Sequence, residues 1–189
     1  MLAAGLAVLA GVVLLLTGTL AIASRAQARV APLIAAAGDI ACAPINGGYN
    51  DGEGNALGCR QKDTAELLAQ KPYAAVLPLG DLVNGEDVSL DAFLTAYEPT
   101  WGRFRAISHP AIGNHEYDDW AGATGYWDYW NGVGVVDGAA GVRGQGWYAY
   151  DVGPWRLIAL NSNCTLVGCY YSSDQGRWLR RELKRNSDR

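Results

Sequence analysis

Histidine is nearly absent from this sequence. Only 2 of the 189 residues are histidine, which argues against a metal site built mainly from imidazole groups. A surplus of positive charge is also absent, because 15 Lys and Arg stand against 19 Asp and Glu, for a formal net charge of -4. That balance argues against a basic nucleic-acid-binding surface, so no nucleic acid is expected as a partner. Phenylalanine is scarce, with 2 residues against 7 Trp and 10 Tyr, which favours amphipathic aromatic side chains near a surface or a site.

Internal repeats and low-complexity tracts are absent after the first thirty residues. Apolar residues make up 50% of the sequence and charged residues 18%, which is the composition of a globular chain with a real core. A disordered tail and a collagen-like fibre are therefore excluded. The length of 189 residues corresponds to about one domain.

Residues 1–24 carry no charged side chain and are mostly Leu, Ala, Val and Gly. The small-x-small sequence Ala26-Gln27-Ala28 follows, which predicts a secretory signal peptide over residues 1–28. The apolar run is also long enough to span a bilayer, so an uncleaved membrane anchor is an alternative, and a buried core helix is a third. The first two interpretations place the rest of the chain outside the cytoplasm. They allow membrane contact only through this segment.

No Cys-x-x-Cys spacing occurs among the four cysteines, which disfavours a zinc site. An even number of cysteines in an exported chain predicts two disulfides. Four cysteines allow three pairings, and the sequence does not select one. We favour the two sequence-local pairs, Cys42 with Cys59 and Cys164 with Cys169.

Apolar runs and helical patterns alternate along the chain, which predicts an α/β fold. Strand-like runs lie at residues 32–37, 73–79 and 106–112, and a hairpin is predicted from 147–151 and 155–161. Helices are predicted at 61–70, 90–97 and 175–184, the second capped by Ser89 and the third with Leu183 available for the core. Residues 117–146 are predicted to form a long loop rich in Trp and Tyr, whose side chains are expected to pack over the core.

Each of the three strand-like runs ends in glycine followed by a possible metal ligand. The three strings are Gly38-Asp39, Gly80-Asp81 and Gly113-Asn114-His115. In an open α/β sheet, ligands bind outside the carboxyl ends of the strands, and neighbouring strands lie about 4.8 Å apart. Carboxylate and amide oxygens are hard donors for Mn, Fe, Zn or Mg ions. The pattern therefore predicts that Asp39, Asp81 and Asn114 gather around a shared cation site.

Together with Glu116, which completes a Gly-Asn-His-Glu string, these three blocks resemble the first three blocks of the calcineurin-like metallophosphoesterases. The branch that includes the secreted purple acid phosphatases is the most similar. The resemblance covers residues 32–189 but only the N-terminal portion of the family's domain. It implies a four-layer αββα sandwich, C-terminally truncated here. It also implies hydrolysis of a small-molecule phosphoester by a metal-bound hydroxide at a dinuclear centre of two divalent or trivalent ions (Fe, Mn or Zn).

The same resemblance implies a role for each matching residue. Asp39 would ligate the first metal, Asp81 would bridge both metals, and Asn114 would ligate the second. His115 would be catalytic, either binding the scissile phosphate or protonating the leaving group. Glu116 would orient His115 or support the ligands.

The sequence departs from the family pattern in three places. Ala41 stands where the first block usually has a histidine, and Asn84 stands where the purple enzymes have a tyrosine. No later Gly-His-x-His block occurs, since His109 and His115 are the only histidines. We therefore expect an incomplete, inactive or weakly active part of the enzyme.

A second hypothesis belongs to a different class of protein. A secreted, non-catalytic binding module could keep the phosphoesterase frame and bind carbohydrate on its aromatic loop, where Trp and Tyr cluster between residues 120 and 130.

Overall fold

The computed structural model describes residues 31–119 and 121–188. The predicted signal peptide or anchor at residues 1–28 lies outside these described residues. Within them, no helix combines the length and apolar character that crossing a membrane requires.

The described residues form a mixed α/β structure in which all strands are short. The strands are β1 (Ile34–Ala37), β2 (Ala41–Cys42), β3 (Ala75–Pro78), β4 (Val83–Asn84), β5 (Asp137–Gly138), β6 (Gly141–Val142), β7 (Tyr148–Val152) and β8 (Trp155–Ala159). They pair two by two: β1 with β3 and β2 with β4 in parallel, β5 with β6 and β7 with β8 antiparallel. The α/β character agrees with the prediction, and the four-layer sandwich stays a prediction.

The third predicted strand is shorter than residues 106–112. Trp101–Ile107 forms a 3₁₀ helix, and the chain joins the sheet through isolated parallel bridges from Ser108 to Val76 and from Ala111 to Leu79. Pro110 lies between the bridges and has no backbone N–H to donate, which limits regular pairing here. The pairing nevertheless places this segment beside β3, so β1, β3 and residues 108–111 run parallel in that order.

The predicted hairpin is confirmed as β7 and β8, which turn at Gly153-Pro154. It packs against the third parallel segment. The Tyr148 hydroxyl donates a 2.7 Å hydrogen bond to the Pro110 carbonyl, and the Tyr150 ring stacks on His109 with ring centres 3.8 Å apart. The end of β8 therefore lies near the end of that segment.

The three predicted helices are all present. They are α1 (Gln61–Ala69), α2 (Leu90–Ala92), which continues as a π-helical turn over Phe93–Tyr97, and α5 (Asp174–Arg185). The Ser89 hydroxyl accepts a hydrogen bond from the Ala92 N–H and caps α2 as predicted. Leu183 of α5 is not in the core, since it is 55% exposed.

The long loop predicted over residues 117–146 is wrong in its centre. Thr124–Asn131 form helix α3, while a further short helix, α4, spans Cys164–Val167. Four aromatic residues of α3 are at most 3% exposed, namely Tyr126, Trp127, Tyr129 and Trp130. Tyr126, Tyr129 and Trp130 pack with Phe93 and Tyr97 of the π-helical turn, and Trp127 packs on Tyr126. The expected packing over the core is thus confirmed for these four rings, which are not exposed for stacking on carbohydrate.

Both favoured disulfides are present. Cys42 is bonded to Cys59 and Cys164 to Cys169, with S–S distances of 2.05 Å, and the described residues contain no free cysteine. Paired cysteines persist in oxidising compartments, which agrees with an extracytoplasmic location.

Candidate functional site

The three glycine-containing turns lie side by side at the carboxyl ends of the parallel segments. The Asp39 N–H donates to the Gly80 carbonyl at 3.2 Å, and the Ile40 N–H donates to the Asp81 carbonyl at 3.1 Å. The second and third turns are closer still, because a Cβ added to Gly80 would lie 2.7 Å from the Gly113 Cα. The three strand ends predicted from the glycine pattern therefore lie together at one edge of the sheet.

Both aspartates adopt a backbone conformation that is uncommon for side chains other than glycine. The φ angles are 52° at Asp39 and 53° at Asp81, in the left-handed region. Asp tolerates this region better than most residues, but it still stores backbone strain, and such strain clusters at functional sites. Two strained aspartates at equivalent strand ends support a functional role for this edge.

Asp81 makes a direct contact with the third turn. Its Oδ1 accepts a 2.9 Å hydrogen bond from the His115 N–H. Asp39 and Asn114 are exposed, and their side chains form no hydrogen bond with the described residues. The structure therefore brings Asp81 and His115 together and places Asp39 and Asn114 on the adjoining turns with free oxygen atoms.

Glu116 acts through the backbone and does not contact the His115 ring. Its carboxylate is 1% exposed and accepts three backbone N–H groups, from Asp81 at 3.0 Å, Leu82 at 2.6 Å and Gly113 at 2.7 Å. Burial raises the pKa of Glu116 to about 7, and the three N–H groups partly oppose this. Glu116 thus fastens the second turn to the third.

The residue that orients His115 is Asp118, which the sequence analysis did not select. Its Oδ2 lies 2.6 Å from His115 Nδ1. The spacing of three residues on one helical turn is a signal that could have identified it. The hydrogen bond with Asp118 raises the pKa of His115, and burial opposes the rise. The contact with Asp118 engages Nδ1 and leaves Nε2 available to a ligand.

Because the chain has two histidines, their titrations can be followed separately by NMR. We expect His115 to titrate above the ordinary value of 6.5, owing to Asp118, and His109 to titrate below it, because burial lowers the pKa of His109. Replacing Asp118 with Asn should lower the midpoint of His115 and leave that of His109 unchanged. Equal midpoints in the wild-type protein would contradict this assignment.

Polar residues that follow β8 also reach the site. Asn163 Nδ2 donates a 3.0 Å hydrogen bond to the Gly113 carbonyl. Asn84 also contacts the second turn, since its Nδ2 donates to the Asp81 carbonyl at 3.1 Å. Both residues therefore act on the backbone of the turns. Asn163 repeats the pattern of a polar residue just after an apolar strand, and this signal was available in the sequence.

The donor set determines which cation could bind. Asp39, Asp81 and Asn114 carry two carboxylates and one amide oxygen, and such oxygen donors prefer hard cations such as Mg²⁺ or Mn²⁺. Among residues 31–119 and 121–188, no group of three or more His, Cys, Asp or Glu side chains could hold a metal ion. Two tightly bound ions would need donors beyond these three.

Two curated proteins of Mycobacterium tuberculosis are similar to this chain. They are "Uncharacterized protein MT2654" of strain CDC 1551 / Oshkosh and "Uncharacterized protein Rv2577" of strain ATCC 25618 / H37Rv. Each is 29% identical over 125 residues, covering 57% of this chain and 24% of the relative. The match thus spans about a quarter of the length of these relatives. No protein-family profile matches the chain, and no solved structure matches it.

Proposed function

We propose that residues 32–189 belong to a metal-dependent hydrolase of small-molecule phosphoesters. In this proposal Asp39, Asp81 and Asn114 are cation ligands, and His115 is the catalytic residue that binds the scissile phosphate or protonates the leaving group. The family resemblance implies two ions, and the donors of this chain suffice for about one. We therefore expect weak activity from these residues alone.

The observation that carries the proposal is the position of Asp81 between the two other turns. Its backbone carbonyl accepts from the first turn, and its carboxylate accepts from His115 of the third turn. An anionic oxygen held in this place is suited to a cation shared by neighbouring strands. Asp39 on the first turn adds a second carboxylate at this edge of the sheet, which favours cation binding.

A divalent cation bound here would neutralise phosphate charge and lower the pKa of a bound water. The chain's own residues would position the substrate around it. His115 is half-exposed, and its Nδ1 is held by Asp118. Its Nε2 can therefore bind a phosphate oxygen or, when protonated, donate a proton to the departing alcohol oxygen.

Manganese binding to the full chain tests the proposal directly. Mn²⁺ should broaden the amide NMR signals of residues 38–39, 80–81 and 113–115 before those of the rest. Asp81→Asn should weaken Mn²⁺ binding at least about tenfold, because it removes a ligand charge. Asn keeps an oxygen that can accept from the His115 N–H, so this variant should fold. Slow hydrolysis of p-nitrophenyl phosphate should depend on Mn²⁺ and be lost with Asp81→Asn.

Asp63→Asn is the matched control. Asp63 is an exposed residue of α1 that pairs with Arg60, so this variant should bind Mn²⁺ as the wild-type protein does. The proposal is wrong if Mn²⁺ instead broadens the acidic loop at Asp51 and Glu53, or if Asp81→Asn leaves the affinity unchanged.

A further inference from the structure

One buried asparagine uses its whole hydrogen-bonding capacity near the candidate site. Asn161, just after β8, is 0% exposed. Its Nδ2 donates to the Tyr117 hydroxyl and to the Gln145 carbonyl, both at 2.9 Å. Its Oδ1 accepts from the N–H of Asn163 at 3.0 Å and from the Nδ2 of Asn163 at 2.9 Å. Two donors and two acceptors are thereby satisfied, which is the full set for an asparagine side chain.

The direction of these hydrogen bonds is fixed by their partners. The Gln145 carbonyl can only accept, so Nδ2 of Asn161 must face it and Oδ1 must face Asn163. The Gly113 carbonyl can also only accept, so Nδ2 of Asn163 must face Gly113. The network therefore admits a single arrangement of both amides.

The network reaches both ends of the segment that carries the candidate site residues. At one end, Asn161 contacts Tyr117, the last residue of the 3₁₀ helix His115–Tyr117. At the other end, it acts through Asn163 on Gly113. Asn114, His115 and Glu116 lie between these two points. Asn161, with Asn163, therefore holds both ends of segment 113–117, although Asn161 lies 44 residues after Tyr117 in the sequence.

Asn161 is itself held by the last helix. Its backbone N–H donates to Gln175 Oε1 at 2.8 Å, and its backbone carbonyl accepts from Gln175 Nε2 at 2.9 Å. Gln175 is 4% exposed and lies in the first turn of α5. This paired contact fixes the backbone from which the Asn161 side chain extends.

We infer that Asn161 is a positioning residue that sets the placement of Asn114 and His115 through Tyr117 and Asn163. This inference rests on the proposed function, since Asn114 is the proposed ligand and His115 is the proposed catalytic residue. The side chain of Asn161 bonds only protein groups, so we assign it no contact with a substrate. Its effect on the site is carried by the segment 113–117.

Removing the two links one at a time tests this inference without leaving a cavity at Asn161. Tyr117→Phe keeps the ring and deletes the hydroxyl, and Asn163→Ala deletes the link to Gly113. In the full chain without metal, both variants should shift the imidazole NMR signals of His115 and the amide signals of residues 113–117. With Mn²⁺ present, each should weaken binding by about tenfold, as expected when a group that orients a ligand is lost.

Tyr148→Phe is the matched control, because it also deletes a tyrosine hydroxyl, in this case one that donates to a backbone carbonyl outside segment 113–117. Its acceptor is Pro110, so it should shift signals of His109 and leave those of His115 in place. The inference fails if Tyr117→Phe and Asn163→Ala leave the His115 signals at their wild-type positions. Absence of Mn²⁺ binding to the wild-type protein would overturn the proposed function alone, since the metal-free shifts still decide the role of Asn161.

Discussion

Alanine at position 113 should destabilise the folded protein by about 3 kcal/mol or more, as overpacking does where the surroundings cannot yield. The added Cβ would lie 2.2 Å from Asp81 Oδ1 and 2.4 Å from the Asp81 backbone nitrogen. Gly113 cannot easily move away, because its N–H is bound to Glu116 and its carbonyl to Asn163. Urea unfolding of Gly113→Ala beside the wild-type protein measures the loss.

Gly47→Ala is the control for this substitution. A Cβ at Gly47 would meet no atom within 4 Å, and Gly47 has no positive φ. Its free energy of unfolding should therefore change by less than about 1 kcal/mol. A Gly113→Ala protein as stable as the Gly47→Ala protein would mean that the second and third turns are not packed as described.

Local patterns were sufficient to predict the frame of the site. The three strand ends follow from apolar runs that stop at glycine, and parallel pairing then brings Asp39 and Asp81 to one edge. Helices α1 and α5 follow from their apolar periodicity. The disulfides join the sequence-local pairs that we favoured, with separations of 17 and 5 residues, although the spacing alone left three pairings open. The elements themselves depend mainly on residues close in sequence.

The support of the site could not be predicted in the same way. Glu116 reaches Leu82 across 34 residues, and Asn163 reaches Gly113 across 50 residues. No periodicity encodes such contacts, because they depend on which backbone N–H groups and carbonyls the fold leaves without a partner.

Helix α3 was missed for a different reason. Its Trp and Tyr residues were interpreted as a loop that packs over the core, and the packing is confirmed where Phe93 and Tyr97 face them, but the segment is a helix. Burial of these rings was decided by the partner element, and aromatic residues alone do not reveal whether they lie on the surface or in the core.

Leucine in place of Glu116 should be the other highly destabilising substitution, with an expected loss of about 3 kcal/mol or more. It fills similar space but leaves the N–H groups of Asp81, Leu82 and Gly113 without an acceptor, and an unsatisfied buried group costs about 1–3 kcal/mol. Glu116→Gln should be intermediate, because one amide oxygen can replace only part of the carboxylate. Urea unfolding at constant pH measures the series Glu, Gln, Leu.

The pH dependence of the free energy of unfolding separates the effect of Glu116 titration from the effect of its packing. Burial raises the pKa of Glu116 from 4.5 to about 7, so between these values the folded protein binds more protons than the unfolded chain. The contribution of Glu116 to the free energy of unfolding is therefore greatest below about pH 4.5 and decreases until about pH 7. The loss caused by Glu116→Leu should be larger at pH 5 than at pH 8.

Glu66→Leu, at an exposed ion pair with Arg103, should change stability by less than about 1 kcal/mol at both pH values. If the two leucine variants lost equal stability, Glu116 could not be the group that fastens the second turn to the third.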